Sequence, residues 1–174
     1  NTASEITNNI LIITDSKEIS LIAERNKVEF YLDDKLAINF TNILEKIKDI
    51  VKDKKQKNII LYRANTPLVN GNILKEAYQE FLLNTKFILT SVKNLDQQIF
   101  KYKDNNLVSL ENNYFKELKA FYIFENNNVD IKYKPFVVDE EHSIEIENYQ
   151  DWWVCEKILQ RKRMVFNVIG SIEI

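Results

Sequence analysis

Apolar and polar residues alternate in blocks along this chain, and the blocks change period. "NILIIT" (9–14) is a short, β-branched run of the kind that a strand covered on both faces displays. "DSKEISLIAERN" follows, with Asp15 and Glu18 at the spacing of a capping box that opens a helix. "KVEFYL" (27–32) reads as a second strand. The next stretch carries Ile43, Leu44, Ile47, Ile50 and Val51, an i, i+4, i+7 stripe with lysines opposite, and therefore a helix. "KNIILY" (57–62) is a third strand, and Ile73, Leu74, Ala77, Tyr78 and Phe81 mark the helix after it. Asn70 is placed to cap that helix. "KFILTSV" (86–92) is a fourth strand. Strands alternating with helices predict an α/β fold, with a mostly parallel sheet and helices on both faces.

Beyond Val92 the rhythm becomes β-rich. "QQIFKYKDNNLVSLENN" predicts a hairpin turning on Asp104, Asn105 and Asn106. "KAFYIFENNNVDIKYKPFVV" predicts another, turning on Asn126, Asn127 and Asn128. Together they form an insertion over 94–138, longer than an ordinary loop. "HSIEIEN" reads as one more short strand, and "YQDWWVCEKILQRK" as a closing amphipathic helix packed through Trp152, Cys155 and Leu159. With 174 residues and no repeat or linker, residues 1–174 are expected to form a single domain.

Composition narrows the function classes. A net charge of −2 provides no basic surplus for nucleic acid. No apolar run approaches a membrane span, and the start "NTASEITNN" is too polar for a signal peptide. A single cysteine, Cys155, builds no internal disulfide, which fits a reducing compartment and a cytoplasmic location. The only glycines, Gly71 and Gly170, cannot build a glycine-rich phosphate loop. Cys155 lacks a sequence-adjacent base and is expected in the core. His142 stands in the charged stretch "DEEHS", where a surface position is expected.

Candidate chemistry concentrates in two places. "RANTPLV" (63–69) ends the third strand, and ligands of open α/β sheets bind at that end of the strands. Arg63 offers a bidentate fork to phosphate or carboxylate, and Asn65 and Thr66 offer polar contacts. The same residues also suit a plain strand-to-helix turn fixed by Pro67. Glu145 and Glu147 are two apart, so in a strand both point to one face and could hold Mg²⁺ through oxygen. Alternating Glu and Ile is equally the pattern of a solvated edge strand.

The order of segments resembles the CMP-sugar synthetases, the acylneuraminate cytidylyltransferase family. The residues carrying this are "IITDSKEISLIAE", "RANTPLV", Ser91-Val92, "KAFYIF" (similar to a "GaiYif" strand) and "EIENYQDWWVCE" (similar to "DIDtpeDWeiAE"). The resemblance implies a Rossmann-like fold of the nucleotide-diphospho-sugar transferase type. It implies transfer of CMP from CTP to a nonulosonic acid, with pyrophosphate released and Mg²⁺ as cofactor. Asp15 and Arg63 are then the catalytic candidates, with Arg63, Asn65, Thr66 and Pro67 binding substrate and Glu145 and Glu147 holding the metal. It also implies a homodimer built by 94–138. The chain departs from the family at Arg63 (Gln there), Thr66 (Ser), Val69 (Arg), and Glu145 and Glu147 (Asp). The family's phosphate loop, "PARgGSKgipkKN", has no counterpart here. A truncated or diverged active site is expected, and the alternative is a non-catalytic relative that binds a sugar or a partner subunit.

Overall fold

The computed structural model describes residues 2–33, 43–95, 99–103, 106–110, 114–127 and 132–170, with side chains left aside over 96–113 and 163–170. Where one domain was expected, contacts divide the chain into two compact units, Asn1–Lys57 and Asn58–Ile174.

The first unit opens with a 3₁₀ turn, Thr2–Glu5, and holds β1 (Leu11–Thr14), α1 (Lys17–Arg25), β2 (Glu29–Leu32) and α2 (Ile43–Val51). β1 and β2 pair in parallel, Leu11 beside Glu29 through Thr14 beside Leu32. The start of α1 corrects the capping-box expectation. Its cap is Ser16, whose hydroxyl accepts from the Ile19 N–H at 3.4 Å, while Thr14 Oγ1 accepts from the Ser16 N–H at 3.0 Å. The cap therefore lies one residue beyond Asp15, and Asp15 is exposed. β1 is only half-buried and β2 is exposed, although the sequence suggested a strand covered on both faces. The predicted stripe on α2 holds, with Ile43, Ile47 and Val51 buried. Glu29 and Lys54 form an ion pair.

The second unit contains β3 (Asn58–Tyr62), α3 (Gly71–Leu83), β4 (Ile88–Asn94), β5 (Ile99–Lys103), β6 (Asn106–Leu110), β7 (Phe115–Glu125), β8 (Tyr133–Val137) and α4 (Tyr149–Gly170). Its main sheet has the order β3-β7-β4-β8. β7 runs antiparallel to both β3 and β4, and β8 runs parallel to β4. Three strands thus share one direction and β7 opposes them. The core sits on β7 and β4, where Phe121, Ile123 and Phe124 are fully buried beside Ile88 and Leu89. Leu74, Ala77 and Phe81 of α3 are buried in the same unit, as their helical spacing requires. Asn70 caps α3 as predicted, its Oδ1 accepting from the N–H groups of Asn72 and Ile73. Pro135 stands on edge strand β8, where a missing donor is tolerated.

The segment 94–138 is divided in the structure. β5 and β6 pair only with each other, whereas β7 and β8 are strands of the main sheet. The run "KAFYIF" lies inside β7, whose apolar residues fill the sheet core instead of forming a hairpin arm. Asp104, Asn105 and Asn128 of the two expected turns lie outside the described residues.

Two more expectations are corrected. "HSIEIEN" forms no strand: 140–143 is a turn and 144–147 has no regular structure. Its amides go elsewhere, to the turn after β3 and to the cap of α4. On α4, Cys155 is buried at 2% exposure, but Trp152 is 44% and Leu159 40% exposed. The helix carries apolar residues on more than one face, so its periodicity does not reveal which stripe is covered. Trp153 is 51% exposed and has the Lys157 ammonium over its ring.

Candidate active site

The site grows from the carboxyl end of β3. The Arg63 N–H donates to the Ala120 carbonyl at 2.9 Å, extending the β3–β7 ladder by one step. The chain then turns. Thr66 is 1% exposed, and its hydroxyl donates to the Arg63 carbonyl at 2.8 Å. The Tyr62 phenol donates to the carbonyls of Thr66 and Val69 at 3.1 and 3.2 Å. These bonds give a rigid turn and leave the Thr66 hydroxyl engaged with the backbone. Pro67 is half-buried between Thr66 and the buried Leu68.

The segment before α4 closes on this turn. The Ile146 N–H donates to the Asn65 carbonyl at 2.8 Å. The N–H groups of Glu147 and Asn148 donate to Asp151 Oδ2, while Asn148 Oδ1 accepts from Gln150 and Asp151. This reciprocal cap fixes the start of α4 and holds 145–147 in place. Arg63 Nη1 consequently lies 3.8 Å from Glu145 Oε1, with both side chains mostly buried. Thus the structure brings Arg63, Asn65 and Glu145 together, though no strand presents Glu145. Glu147 is adjacent but exposed, and Asp15 is exposed in the first unit.

Two oxygens in this cluster, Asn65 Oδ1 and Glu145 Oε1, are buried and accept no hydrogen bond. A buried acceptor left unsatisfied is costly, and such an oxygen suits either a ligand donor or a hard cation. Burial pushes the Glu145 carboxyl above the ordinary carboxylate range. The Arg63 charge opposes that shift, Glu147 adds to it, and Lys116 and Lys119 draw it back down. No group of three or more His, Cys, Asp or Glu side chains suited to a metal occurs among the described residues. A Mg²⁺ ion here would need oxygens from its substrate and from water.

Lys116 and Lys119, whose charges act on the Glu145 carboxyl, are not singled out by the sequence pattern. They stand on either side of Glu117 and Leu118 on β7, where the β4 register shifts between Thr90 and Val92. The N–H groups of Ala120 and Phe121, displaced from the ladder, donate to the fully buried Ser91 hydroxyl at 3.0 and 3.1 Å. Lys119 itself adopts φ 53°, the left-handed region. Lys93, Lys116 and Leu118 line an open cleft with Glu145, Glu147 and Asp151.

Other candidates have structural roles. His142 Nδ1 contacts both carboxylate oxygens of Asp139, and its Nε2 faces Lys162 at 3.3 Å. Lys162 and Arg161 also pair with Glu141, tying the 139–142 turn to α4. Burial raises the Cys155 thiol above its usual value, and Asp151 adds to the rise, which disfavours the reactive thiolate.

The fold is α/β of the nucleotidyltransferase type. The structure of 4-diphosphocytidyl-2C-methyl-D-erythritol synthase from Anaerococcus prevotii DSM 20548 superposes with a TM-score of 0.70 at 9% identity, covering 91% of this chain and 85% of that one. A second 4-diphosphocytidyl-2C-methyl-D-erythritol synthase gives 0.67 at 5% identity, covering 91% and 86%. No family model matches the sequence. The resemblance to the CMP-sugar synthetases is supported by similarity to the pseudaminic acid cytidylyltransferase of Campylobacter jejuni subsp. jejuni serotype O:23/36 (strain 81-176). The two are 28% identical over 148 residues, 80% of this chain and 53% of that protein. The chain thus spans about half the length of the curated relative it matches. Among the described residues no helix is long and apolar enough to cross a membrane.

Proposed function

We propose that this chain is part of a cytidylyltransferase that uses CTP and a nonulosonic acid of the pseudaminic type. A sugar hydroxyl attacks the α-phosphorus, the bond to the bridging oxygen of the β-phosphate breaks, and pyrophosphate leaves. Such transfers depend on positioning and on neutralising phosphate charge. One observation carries the reading: the turn after β3 and the segment before α4 meet, with Arg63 3.8 Å from Glu145. The similarity to a pseudaminic acid cytidylyltransferase, over 80% of this chain, supports the choice of substrates.

In this reading Arg63 presents its planar donors to an anionic group of the substrate. Asn65 Oδ1 and Glu145 Oε1 accept from ligand donors or face the cation. Thr66 and Pro67 shape the turn. Asp15, exposed directly after β1, is the candidate from the first unit for the nucleotide. Mg²⁺ arriving with CTP would be held by Glu145 and Glu147 and would neutralise phosphate charge. The protein acts as a homodimer through 94–138, in which β5 and β6 form a two-stranded sheet of their own. A monomer by light scattering would remove that part of the proposal.

The test is calorimetric titration with CTP and Mg²⁺, repeated with Glu145→Ala and Glu147→Ala combined. Saturable binding that the double variant loses is expected. Absence of binding in the wild type would favour the alternative, a non-catalytic relative.

A further inference from the structure

His142 is the one histidine of the chain, and each of its ring nitrogens meets a charged group. Nδ1 lies 2.9 and 2.7 Å from the two carboxylate oxygens of Asp139, and Nε2 lies 3.3 Å from Lys162 Nζ. An ionised carboxylate only accepts and an ammonium only donates, which fixes the tautomer. The neutral ring donates from Nδ1 to Asp139 and accepts at Nε2 from Lys162. The side chain is 18% exposed, so the ring is held between its two partners.

A second proton on the ring affects the two sides differently. At Nδ1 the bond to Asp139 becomes charge-assisted on both sides. At Nε2 the acceptor is lost, and an imidazolium N–H faces an ammonium at 3.3 Å. Asp139 stays ionised: burial pushes its carboxyl up, but the backbone N–H and ring of His142 bring it below the ordinary carboxylate value. The ring therefore remains with Asp139, and Lys162 is the group that leaves. Glu141 Oε1, 2.8 Å from Lys162 Nζ, is ready to keep the ammonium, and Arg161 shares that carboxylate. These remaining ion pairs lie at the surface, where such pairs contribute little. Among the described residues, the charged groups that meet His142 are Asp139 and Glu141 on its own turn and Lys162 on α4, with Arg161 beyond Glu141.

The contact joins two walls of one cleft. The turn supplies Asp139, Glu140 and Glu141 to the lining, and α4 supplies Ile158 and Arg161. We propose that His142 is a pH-sensitive latch between the 139–143 turn and α4, closed while the ring is neutral and released when it is protonated. Histidine is the side chain whose charge ordinarily changes between about pH 5 and 8. The latch follows from the contacts of this turn and holds whatever ligand the cleft takes.

The experiment is an NMR titration between about pH 8 and 5. The histidine is single, so its imidazole signals need no assignment. The neutral ring is expected as the Nδ1–H tautomer. Hydrogen exchange of the His142 and Ser143 amides, which are bonded to Asp139 Oδ1 and the Glu140 carbonyl, reads the state of the turn. Corrected for the intrinsic effect of pH, their protection is expected to fall about tenfold as the ring is protonated, the size of one hydrogen bond to a charged group. His142→Gln keeps an acceptor for Lys162 at every pH and should hold the high protection throughout. Lys162→Met removes the donor and should show the low protection throughout. A neutral ring in the Nε2–H form, or a ring that stays neutral until the protein unfolds, would overturn the latch. So would protection that does not change on protonation. An equal fall in His142→Gln would overturn it too, and would assign the effect to a carboxylate such as Glu145.

Discussion

Ser91→Ala is a severe test of how the bulge beside the site is held. Ser91 is fully buried, and its Oγ accepts from the N–H groups of Ala120 and Phe121 at 3.0 and 3.1 Å. Both donors lie where the β4–β7 register shifts, so no opposing carbonyl takes over. Each buried donor left unsatisfied costs about 1–3 kcal/mol. Two such donors, with some relaxation, make a loss of about 3 kcal/mol, a large share of a domain's stability. With a urea slope of about 1–3 kcal/mol/M, the midpoint falls by about 1–3 M at unchanged slope. Thr90 provides the contrast. Its Oγ1 is buried without a hydrogen-bond partner. Thr90→Val removes an uncompensated hydroxyl, and the midpoint is expected to hold or rise, by up to about 1 kcal/mol in stability. Equilibrium urea unfolding followed by tryptophan fluorescence reads both. Equal shifts of the same sign, or a Ser91→Ala loss under about 1 kcal/mol, would refute this account of the bulge.

Other outcomes follow from the same contacts. Asn70→Ala, which removes the cap of α3, should cost about 1 kcal/mol in urea unfolding. Trp152→Ala should cost no more than about 1 kcal/mol, because a core tryptophan would cost about 3–5; a core-sized loss would mean that the face of α4 is covered. The folded-state pKa of Glu145 is raised, so the folded chain binds its proton more tightly than the unfolded chain. Its contribution to stability is therefore present at low pH and is lost as pH rises from the ordinary carboxylate value, 4.5, through the raised one. Glu145→Gln should flatten the stability profile over that window, and an unchanged profile would contradict the shift.

The sequence pattern shows most of the fold. Period-2 and period-3.6 blocks locate β1 to β4, α1 to α3 and the cap at Asn70, because each of these elements is set by local spacing. The role of β7 is not legible in the same way. Its run "KAFYIF" suits a hairpin arm as well as a central strand, and only pairing with β3 and β4 decides. "EIEN" alternates like a strand, yet its amides are claimed by Asn65 and Asp151. For the site, Arg63, Asn65 and Glu145 can be named from the sequence, but their meeting depends on tertiary contacts. Lys119 is hidden because a backbone angle leaves no mark on composition. The one signal is its alignment with the glycine of the family's "GaiYif" strand. The exposure of Trp152 is hidden for a related reason, since α4 offers more than one apolar stripe.

The measurement closest to the central claim is pyrophosphate release from CTP by the protein, with Mg²⁺ and with or without pseudaminic acid. The account predicts release that requires the sugar acid and is lost in Arg63→Ala. Release without the acid, or release equal in wild type and Arg63→Ala, would contradict the assignment of the site. No release from wild type under any of these conditions would contradict the proposed reaction itself.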